Sequence, residues 1–284
     1  MTKFYSSIKP RPGILSIPTY VGGSSGLGRL DQPIKLSSNE NPYGPSDKVI
    51  KAFLQSKDHL GVYPDSKHTA LRSAIAEVIG IDANRIICGA GSDELIHFLC
   101  QCYATNGDEV IHTQHGFAMY RISALTVGAT PIAIPEVDRC ADISAIISAC
   151  NERTKIIFLA NPNNPTGTFV DDVQLIKLAN EIPEHTLLVL DGAYAEYIDK
   201  FDGGVELVEK RNNVFMTRTF SKIHGLGSLR VGWGYGSEQV IETLNRVKAP
   251  FNISTVGQNA AVAAIKDIEY VYNCRNENIQ LREQ

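Results

Sequence analysis

The sequence lacks the features that mark secreted, membrane and cysteine-metal proteins. None of its six cysteines forms a C-x-x-C pair, and its first residues contain no apolar stretch of the kind found in a signal peptide. Buried reduced thiols are therefore expected rather than disulfides or a metal site. No apolar run approaches the roughly 18 residues of a membrane-spanning helix. We expect a cytoplasmic protein that has no membrane partner.

The chain also lacks an excess of positive charge. Its 27 Lys and Arg residues are outnumbered by 31 Asp and Glu residues, which gives a formal net charge of −4 at pH 7. Domains that bind nucleic acid usually carry clustered basic residues, so we expect no nucleic-acid partner. His112 and His115 lie near each other in the sequence without further ligands, so we predict no metal site.

What the chain does contain is a regular alternation of apolar segments. Apolar residues make up 43% of its 284 residues, which predicts a packed globular core. From about residue 66 the alternation predicts βαβ units and an α/β fold with a mainly parallel sheet. Strands are predicted at 85–88, 109–112, 131–135, 155–160, 187–191 and 214–216, with an extended segment at 230–233. Helices are predicted at 47–55 with Ser46 as N-cap, near 66–79, at 95–103, 117–127, 143–149 and 171–181, and from about 254 onward.

Four polar features lie just past predicted strand ends. They are the Gly91–Ser92 turn, the loop that contains Asn164, the Asp191 carboxylate and Lys222. Ligands of parallel sheets bind beyond the carboxyl ends of the strands, so we expect these features to surround one ligand. Each also has an ordinary structural explanation: a glycine turn before a helix, a turn residue, a helix N-cap and a solvated lysine.

The stretch from Thr217 to Gly234 carries the strongest chemical signal. Thr219, Ser221 and Arg230 supply hydroxyls and a guanidinium of the kind that a phosphate needs. Lys222 lies among them, and a lysine near fixed positive charge can act as an amine nucleophile. A phosphate cradle around a reactive lysine suggests pyridoxal phosphate.

Asp191 and two neighbours in the predicted site fit the same cofactor. A carboxylate at the end of a buried strand is costly unless it is paired, and a pyridinium N–H is a suitable partner. Tyr194 follows Asp191 by three residues, and Asn164 lies in the loop after another strand. Each side chain could reach the oxygen on the cofactor ring. Each structural explanation accounts for one residue only. The presence of all these residues together, in this order along the chain, favours a cofactor site.

Six phrases of the sequence match a known family. They are L-S-S-N-E-N-P-Y-G-P-S at 36–46, V-Y-P-D-S at 62–66, G-A-G-S-D-E at 89–94, N-P-N-N-P-T-G at 161–167, L-D-G-A-Y at 190–194 and T-F-S-K-I-H-G-L-G-S-L-R-V-G at 219–232. On these phrases the chain resembles the fold-type I pyridoxal-phosphate aminotransferases, and among them the histidinol-phosphate group. The resemblance implies a three-layer α/β/α large domain.

The resemblance also implies a role for each matching residue. Lys222 would form the Schiff base, Asp191 would pair with the pyridinium nitrogen, and Tyr194 would contact the ring oxygen. The remaining expected contacts are Asn164 to the ring oxygen, Phe117 stacked on the ring, Ser92, Asp93, Thr219, Ser221 and Arg230 around the phosphate, Tyr63 reaching the phosphate of a second subunit, and Tyr20 and Asn41 beside the substrate. The active unit would then be a homodimer.

The resemblance also implies a division into domains, of which this sequence is expected to contain only a part. Residues 1–45 are expected to form an N-terminal arm, 46–253 the cofactor-binding large domain, and 254–284 the start of a helix that links to a small domain. In the family that small domain carries the arginine for the substrate carboxylate. We therefore expect a truncated member in which Arg275 and Arg282 do not replace that arginine.

The implied activity is transfer of an amino group between histidinol phosphate and 2-oxoglutarate, giving imidazole acetol phosphate and glutamate in histidine biosynthesis. Two other hypotheses stay open on the sequence. One is a relative with the same cofactor, either an aromatic aminotransferase or a threonine-phosphate decarboxylase. The other is a non-catalytic remnant that still binds the cofactor.

Overall fold

The computed structural model describes residues 9–11, 13–19 and 36–284. Most of the predicted N-terminal arm, including Tyr20, lies outside the described residues. The described part of the arm contains one short 3-10 turn, Ile14–Ser16, and no α-helix. Among the described residues, no helix has both the length and the apolar character needed to cross a membrane.

The strands of the described chain form one sheet. They are β1 (Ile86–Gly89), β2 (Glu109–Thr113), β3 (Thr130–Ile134), β4 (Thr154–Ala160), β5 (Leu187–Asp191), β6 (Val214–Thr219) and β7 (Gly232–Tyr235). Their order in the sheet is β1-β7-β6-β5-β4-β2-β3. β7 runs antiparallel to both of its neighbours, and the other pairs are parallel. The predicted mainly parallel sheet is confirmed.

Helices cover both faces of this sheet. They are α1 (Asp47–Gln55), α2 (Thr69–Ile79), α3 (Ser92–Tyr103), α4 (Ala118–Val127), α5 (Ile143–Ala149), α6 (Asp172–Glu181), α7 (Val205–Lys210), α8 (Glu238–Val247), α9 (Thr255–Lys266) and α10 (Ile268–Arg282). The elements before residue 200 lie close to their predicted positions, because their apolar periodicity is strong and each is bounded by turn residues.

The sheet divides the core into two layers, as β4 illustrates. Successive side chains of a strand point to opposite faces. Ile156 and Phe158 pack with apolar residues of α3, α4 and α8, whereas Ile157 and Leu159 pack with those of α2, α6 and α9. The near-continuous apolar sequence of the strand thus reflects burial on both sides. This arrangement is the three-layer α/β/α fold that was predicted.

Local capping explains where α1 begins. Ser46 has an extended backbone, and its hydroxyl accepts a hydrogen bond from the backbone N–H of Val49. That bond satisfies one of the N–H groups that lack a partner at the start of a helix. The N-cap and the bounds of α1 are as predicted.

Three features of the last third of the chain differ from the sequence-based expectations. Arg230, expected in an extended segment, has φ 51° and lies in the left-handed region. α7 and α8 were not predicted, although the buried residues Val240, Ile241 and Leu244 of α8 follow a helical spacing. The helical run expected from about residue 254 is interrupted at Asp267, whose carboxylate accepts a hydrogen bond from Lys48 at 2.7 Å.

α9 packs against α1 and α2. Its residues Ala260, Ala261 and Ala264 are buried in the same apolar cluster as Leu71 and Ile75 of α2. Small side chains on this face let the helices approach closely. The proposed domain divisions at residues 45 and 253 stay a prediction.

Candidate active site

One cavity of about 210 Å³ lies at the carboxyl ends of the central strands β4, β5 and β6. Parallel strands end at the same edge of a sheet, which is where ligands of such folds bind. Ten of the thirteen residues predicted for the site line this cavity: Ser92, Asp93, Phe117, Asn164, Asp191, Tyr194, Thr219, Ser221, Lys222 and Arg230.

The first turn of α3 forms one corner of the cavity. The helix follows Gly91, which has no side chain to cap it, so its leading N–H groups keep their hydrogen-bonding capacity for an anion. A Cβ atom at Gly91 would lie 2.4 Å from Nη2 of Arg230, and the φ of Gly91 is +80°. Glycine is therefore favoured by the left-handed backbone conformation, and a larger residue would also displace the guanidinium from its present position.

Arg230 completes this corner. Its Nη1 donates to the Ser221 hydroxyl at 2.9 Å and to the Gly227 carbonyl at 3.0 Å, and its Nη2 lies 3.2 Å from the Asp93 carboxylate. The left-handed conformation of Arg230 turns its side chain back towards the start of α3. A guanidinium, three hydroxyl side chains and a helix N-terminus in one place can hold a phosphate group. We call this set the anion corner (Ser92, Asp93, Thr219, Ser221 and Arg230).

Asp191 lies at the end of β5 and is 4% exposed. Its Oδ1 accepts hydrogen bonds from the Thr217 hydroxyl at 3.0 Å and the Ala193 N–H at 3.2 Å. Its Oδ2 accepts a hydrogen bond from the Tyr120 hydroxyl at 2.6 Å. Burial raises the pKa of Asp191, and the bonds from Tyr120 and Thr217 oppose this rise. Within the described part of the chain Asp191 forms no ion pair, so its charge can serve a cationic ligand group.

Two residues predicted to hold the ring oxygen are linked by Asn39. The Asn39 amide donates to the Tyr194 hydroxyl at 3.0 Å and approaches the Asn164 side-chain oxygen at 3.5 Å. Asn39 has φ 53°, a conformation that asparagine tolerates better than most residues. The segment around Asn39 thus closes over the cavity from the N-terminal side.

Lys222 lies under the same segment. Its Nζ donates to the backbone carbonyl of Ser38 at 3.2 Å and stands 5.5 Å from the centre of the Tyr194 ring. No carboxylate neutralises this amine in the described residues, since its recorded partners are a carbonyl and an aromatic ring. Lys222 lines the same cavity as Asp191 and the anion corner.

Phe117 lines the cavity immediately before α4. Its ring meets the ring of Tyr120 edge to face, with centroids 5.8 Å apart and an interplanar angle of 88°. A perpendicular contact of this kind covers at most one face of the Phe117 ring, so the ring can still offer a face to a planar ligand in the cavity.

Of the predicted residues that the structure describes, Tyr63 and Asn41 do not line this cavity. Tyr63 is 79% exposed and stacks on Phe251 at 4.5 Å, beside a second cavity of about 290 Å³. Asn41 donates to the backbone carbonyl of Ile223 at 2.7 Å and to the Tyr270 hydroxyl at 3.2 Å, so it ties the N-terminal segment to α10. Tyr20 lies outside the described residues.

The structure adds residues that sequence inspection missed. Tyr120 and Thr217 hold the Asp191 carboxylate, and Asn39 holds Tyr194. Tyr120 follows Phe117 by one helical turn, and Thr217 precedes Thr219 by the period of a strand. Those spacings place each residue on the same face as a predicted site residue and could have identified both.

The residues of the cavity fit pyridoxal 5′-phosphate. The anion corner suits its phosphate, the Asp191 carboxylate suits the N–H of a protonated pyridine ring, and the Lys222 amine suits an aldehyde carbon. The close approach of backbone at Gly91 and Gly232 supports the fit. A Cβ atom at Gly232 would lie 2.4 Å from the backbone nitrogen of Ser92, so the anion corner depends on bare backbone at two points.

Comparisons with known proteins agree with this chemistry. The family model described as aminotransferase class I and II matches residues 31–284. Histidinol-phosphate aminotransferases of Dinoroseobacter shibae and of a Ruegeria species are 57% and 54% identical to the chain over 98% of its length. The chain spans 77% and 76% of those proteins.

A solved structure is also closely similar. It is a histidinol-phosphate aminotransferase from Sinorhizobium meliloti in complex with pyridoxal-5′-phosphate, with a TM-score of 0.91 and 26% sequence identity. The match covers 98% of this chain and 77% of that one. The chain therefore belongs to the aminotransferase class I and II family, as its motifs predicted, and is a pyridoxal-phosphate-dependent enzyme.

Proposed function

We propose that this protein transfers an amino group between histidinol phosphate and 2-oxoglutarate as a step of histidine biosynthesis. The observation that carries the proposal is the joint position of Lys222, Asp191 and the anion corner around one cavity of about 210 Å³. The relatives with more than 50% identity are named histidinol-phosphate aminotransferases, which supports the choice of substrate.

The proposed roles follow from the contacts in the cavity. The anion corner binds the cofactor phosphate, and Phe117 stacks on the cofactor ring. Asn164 and Tyr194, linked by Asn39, hold the ring oxygen. Asp191, held by Tyr120 and Thr217, binds the ring N–H through a charge-assisted hydrogen bond.

Bound pyridoxal 5′-phosphate supplies an aldehyde that bonds to amines and a ring that withdraws electrons from the attached carbon. Lys222, which lines the cavity, would hold the cofactor through its Nζ. The Lys222 amine, when it is not bonded to the cofactor, would serve as general base and acid for the proton on Cα of the substrate. Asp191 keeps its negative charge beside the ring N–H throughout, so the proton on the ring nitrogen is retained.

Substrate assays test this proposal. The protein is loaded with pyridoxal 5′-phosphate, and glutamate formation from 2-oxoglutarate is measured with histidinol phosphate, phenylalanine or tyrosine as donor. We expect the highest kcat/KM with histidinol phosphate. A higher value with an aromatic donor would identify an aromatic aminotransferase, and release of carbon dioxide from threonine phosphate would identify a decarboxylase. Cofactor binding without turnover of any donor would identify a binding remnant.

We propose in addition that two copies associate through the surface around Tyr63. This surface includes the stacked pair Tyr63 and Phe251 and the exposed side chains of Leu60 and Val62, which are 72% and 70% exposed. A contiguous apolar patch of this kind favours protein association. Sedimentation should show a dimer that Tyr63→Ala weakens, whereas Tyr272→Ala, at another exposed tyrosine, leaves it intact. A monomer with tightly bound cofactor would contradict the proposal. A cytoplasmic location stays a prediction.

A further inference from the structure

Tyr120 is the most constrained aromatic residue near the cavity. It lies in the first turn of α4 and has no exposed surface. Its ring stacks on Phe158, with centroids 4.8 Å apart and an interplanar angle of 3°, and meets Phe117 edge to face. These two ring contacts and the full burial fix the orientation of the ring. Its hydroxyl therefore points to Oδ2 of Asp191, at 2.6 Å.

The two oxygens of Asp191 have different donors. Oδ1 accepts from the Thr217 hydroxyl and the Ala193 N–H, whereas among the described residues the donor on Oδ2 is the Tyr120 hydroxyl. Without this hydroxyl, one oxygen of a buried carboxylate would lose its hydrogen bond, and the carboxylate would be held through its other oxygen alone. A bond to a charged group at this distance is among the stronger hydrogen bonds in proteins.

Burial and nearby charges keep Tyr120 as the donor of this hydrogen bond and Asp191 as its acceptor. Burial and the adjacent negative charge of Asp191 raise the pKa of Tyr120 well above its ordinary value, so the hydroxyl stays a donor. The same bond lowers the pKa of Asp191 against the effect of burial. The other charged or titratable groups around the carboxylate are Asp93 from α3, Tyr194 from the segment after β5, and Lys222 and Arg230 after β6.

We infer that Tyr120 is a positioning residue that holds Asp191 in one orientation and in its charged form, so that Asp191 can bind the ring nitrogen of the cofactor. The inference rests on the proposed function, because it needs pyridoxal 5′-phosphate in this cavity. Tyr120 also joins two cofactor contacts, since the same ring supports Phe117 and the same hydroxyl holds Asp191. Tyr120 itself lines the cavity, and its inferred role is exerted through Asp191 and Phe117.

The first experiment measures binding of pyridoxal 5′-phosphate to Tyr120→Phe without any amino substrate. The substitution keeps both ring contacts and removes the hydroxyl. We expect the affinity for the cofactor to fall about 10- to 100-fold, the usual value of a hydrogen bond to a charged group. The matched control is Tyr235→Phe, which removes the hydroxyl of another fully buried tyrosine bonded to a carboxylate, Glu209, away from the cavity. Its cofactor affinity should equal that of the wild type.

The second readout is the pH dependence of cofactor binding. Loss of the Tyr120 hydroxyl removes an influence that lowers the pKa of Asp191, so the carboxylate takes up a proton at a higher pH. As the pH falls, the variant should therefore lose the cofactor at a higher pH than the wild type and the Tyr235→Phe control. A purely structural role would lower stability without moving this pH profile.

A double-mutant cycle decides whether Tyr120 acts through Asp191. In an Asp191→Asn background, Tyr120→Phe should change cofactor affinity less than twofold. If Tyr120→Phe does not fold alone, the double variant should regain folding, because an uncharged side chain tolerates the loss of a donor better than a buried carboxylate. Equal effects of Tyr120→Phe in both backgrounds, or failure of the double variant to fold, would overturn the inference.

The outcomes also separate this inference from the proposed function. A wild-type protein that does not bind pyridoxal 5′-phosphate contradicts the proposed function. A wild-type protein that binds it, with unchanged affinity and pH profile in Tyr120→Phe, contradicts the inference alone.

Discussion

The two faces of β6 support two different kinds of buried charge. Thr219 lines the cavity of the candidate active site, and Thr217, on the same face of the strand, bonds Asp191. Arg218, between them, points to the opposite side, where it lies 3.5 Å from Glu196 and lines another cavity of about 320 Å³. Alternation along one strand thus separates a chemical site from a structural ion pair by a single residue.

The contrast lies in how each charge is compensated. Asp191 is held by neutral donors on both oxygens and has no cationic partner among the described residues. Arg218 has a carboxylate partner, but its Nε and Nη1 have no hydrogen-bond partner in the described structure. Hydrogen bonds to neutral donors fix the position of a charge and leave it available to a ligand. An ion pair neutralises the charge inside the protein.

Among substitutions in the candidate active site, the largest loss of turnover is expected at Lys222. Lys222→Ala removes the amine that we propose as cofactor anchor and as general base. Turnover should fall by at least about 10²- to 10⁴-fold. Borohydride reduction of the wild type followed by peptide mapping should place the pyridoxyl group on Lys222. The surface variant Lys210→Ala should keep both properties, and a label on another lysine would refute the assignment.

A substitution of Arg218, on the opposite face of β6, should lower the unfolding free energy and leave cofactor binding unchanged. Arg218→Met leaves the half-buried carboxylate of Glu196, whose side chain is 14% exposed, without its charge partner. Removal of one member of a buried pair costs up to about 3–5 kcal/mol of unfolding free energy. Denaturant titration measures this loss. The pair Arg218→Met/Glu196→Gln should recover part of it, since the unpaired charge is gone. Cofactor affinity of the folded protein should stay close to that of the wild type, and a tenfold loss would contradict the separation of the two faces.

A smaller effect is expected at the anion corner. Arg230→Lys keeps the positive charge and loses the planar fork that bonds both Ser221 and Gly227. Affinity for pyridoxal 5′-phosphate should fall about tenfold, the value of one charge-assisted hydrogen bond. Inorganic phosphate should also compete less effectively for the variant. The exposed Arg246→Lys serves as control, and an unchanged affinity in Arg230→Lys would exclude the proposed phosphate contact.

The smallest expected effect concerns His224, which lines the same cavity as Arg218. Burial lowers the pKa of His224, and Arg218 contributes in the same direction. The unfolded chain therefore binds a proton at this histidine at higher pH than the folded chain does, so stability is lost as the pH falls below about 6.5. His224→Gln should show a smaller loss of unfolding free energy between pH 7 and pH 5. An identical pH dependence in the variant would contradict this account.

Local sequence was sufficient for several parts of the fold and site. The N-cap Ser46, the bounds of α1 and the end of β5 at Asp191 were predicted because each depends on neighbouring residues. The cluster of site residues was also predictable, since parallel strands of one sheet end at one edge. The omission of α8 was avoidable, because its apolar spacing is visible in the sequence.

Other features depend on contacts between distant parts of the chain. Tyr120 and Asp191 are 71 residues apart, and Asn39 and Tyr194 are 155 residues apart. The helical pattern after residue 254 shows no break, yet Asp267 interrupts it where Lys48 approaches.

The sequence by itself determined the elements, their order and the residue types of the site, because periodicity, capping and turn chemistry act over a few residues. Only the tertiary structure decided which donors hold Asp191, that Arg230 turns back to α3, and that Tyr63 is exposed away from the cavity. Those outcomes depend on the packing of elements from opposite ends of the chain. Burial and distance, which set the charge of Asp191, exist only after that packing has formed.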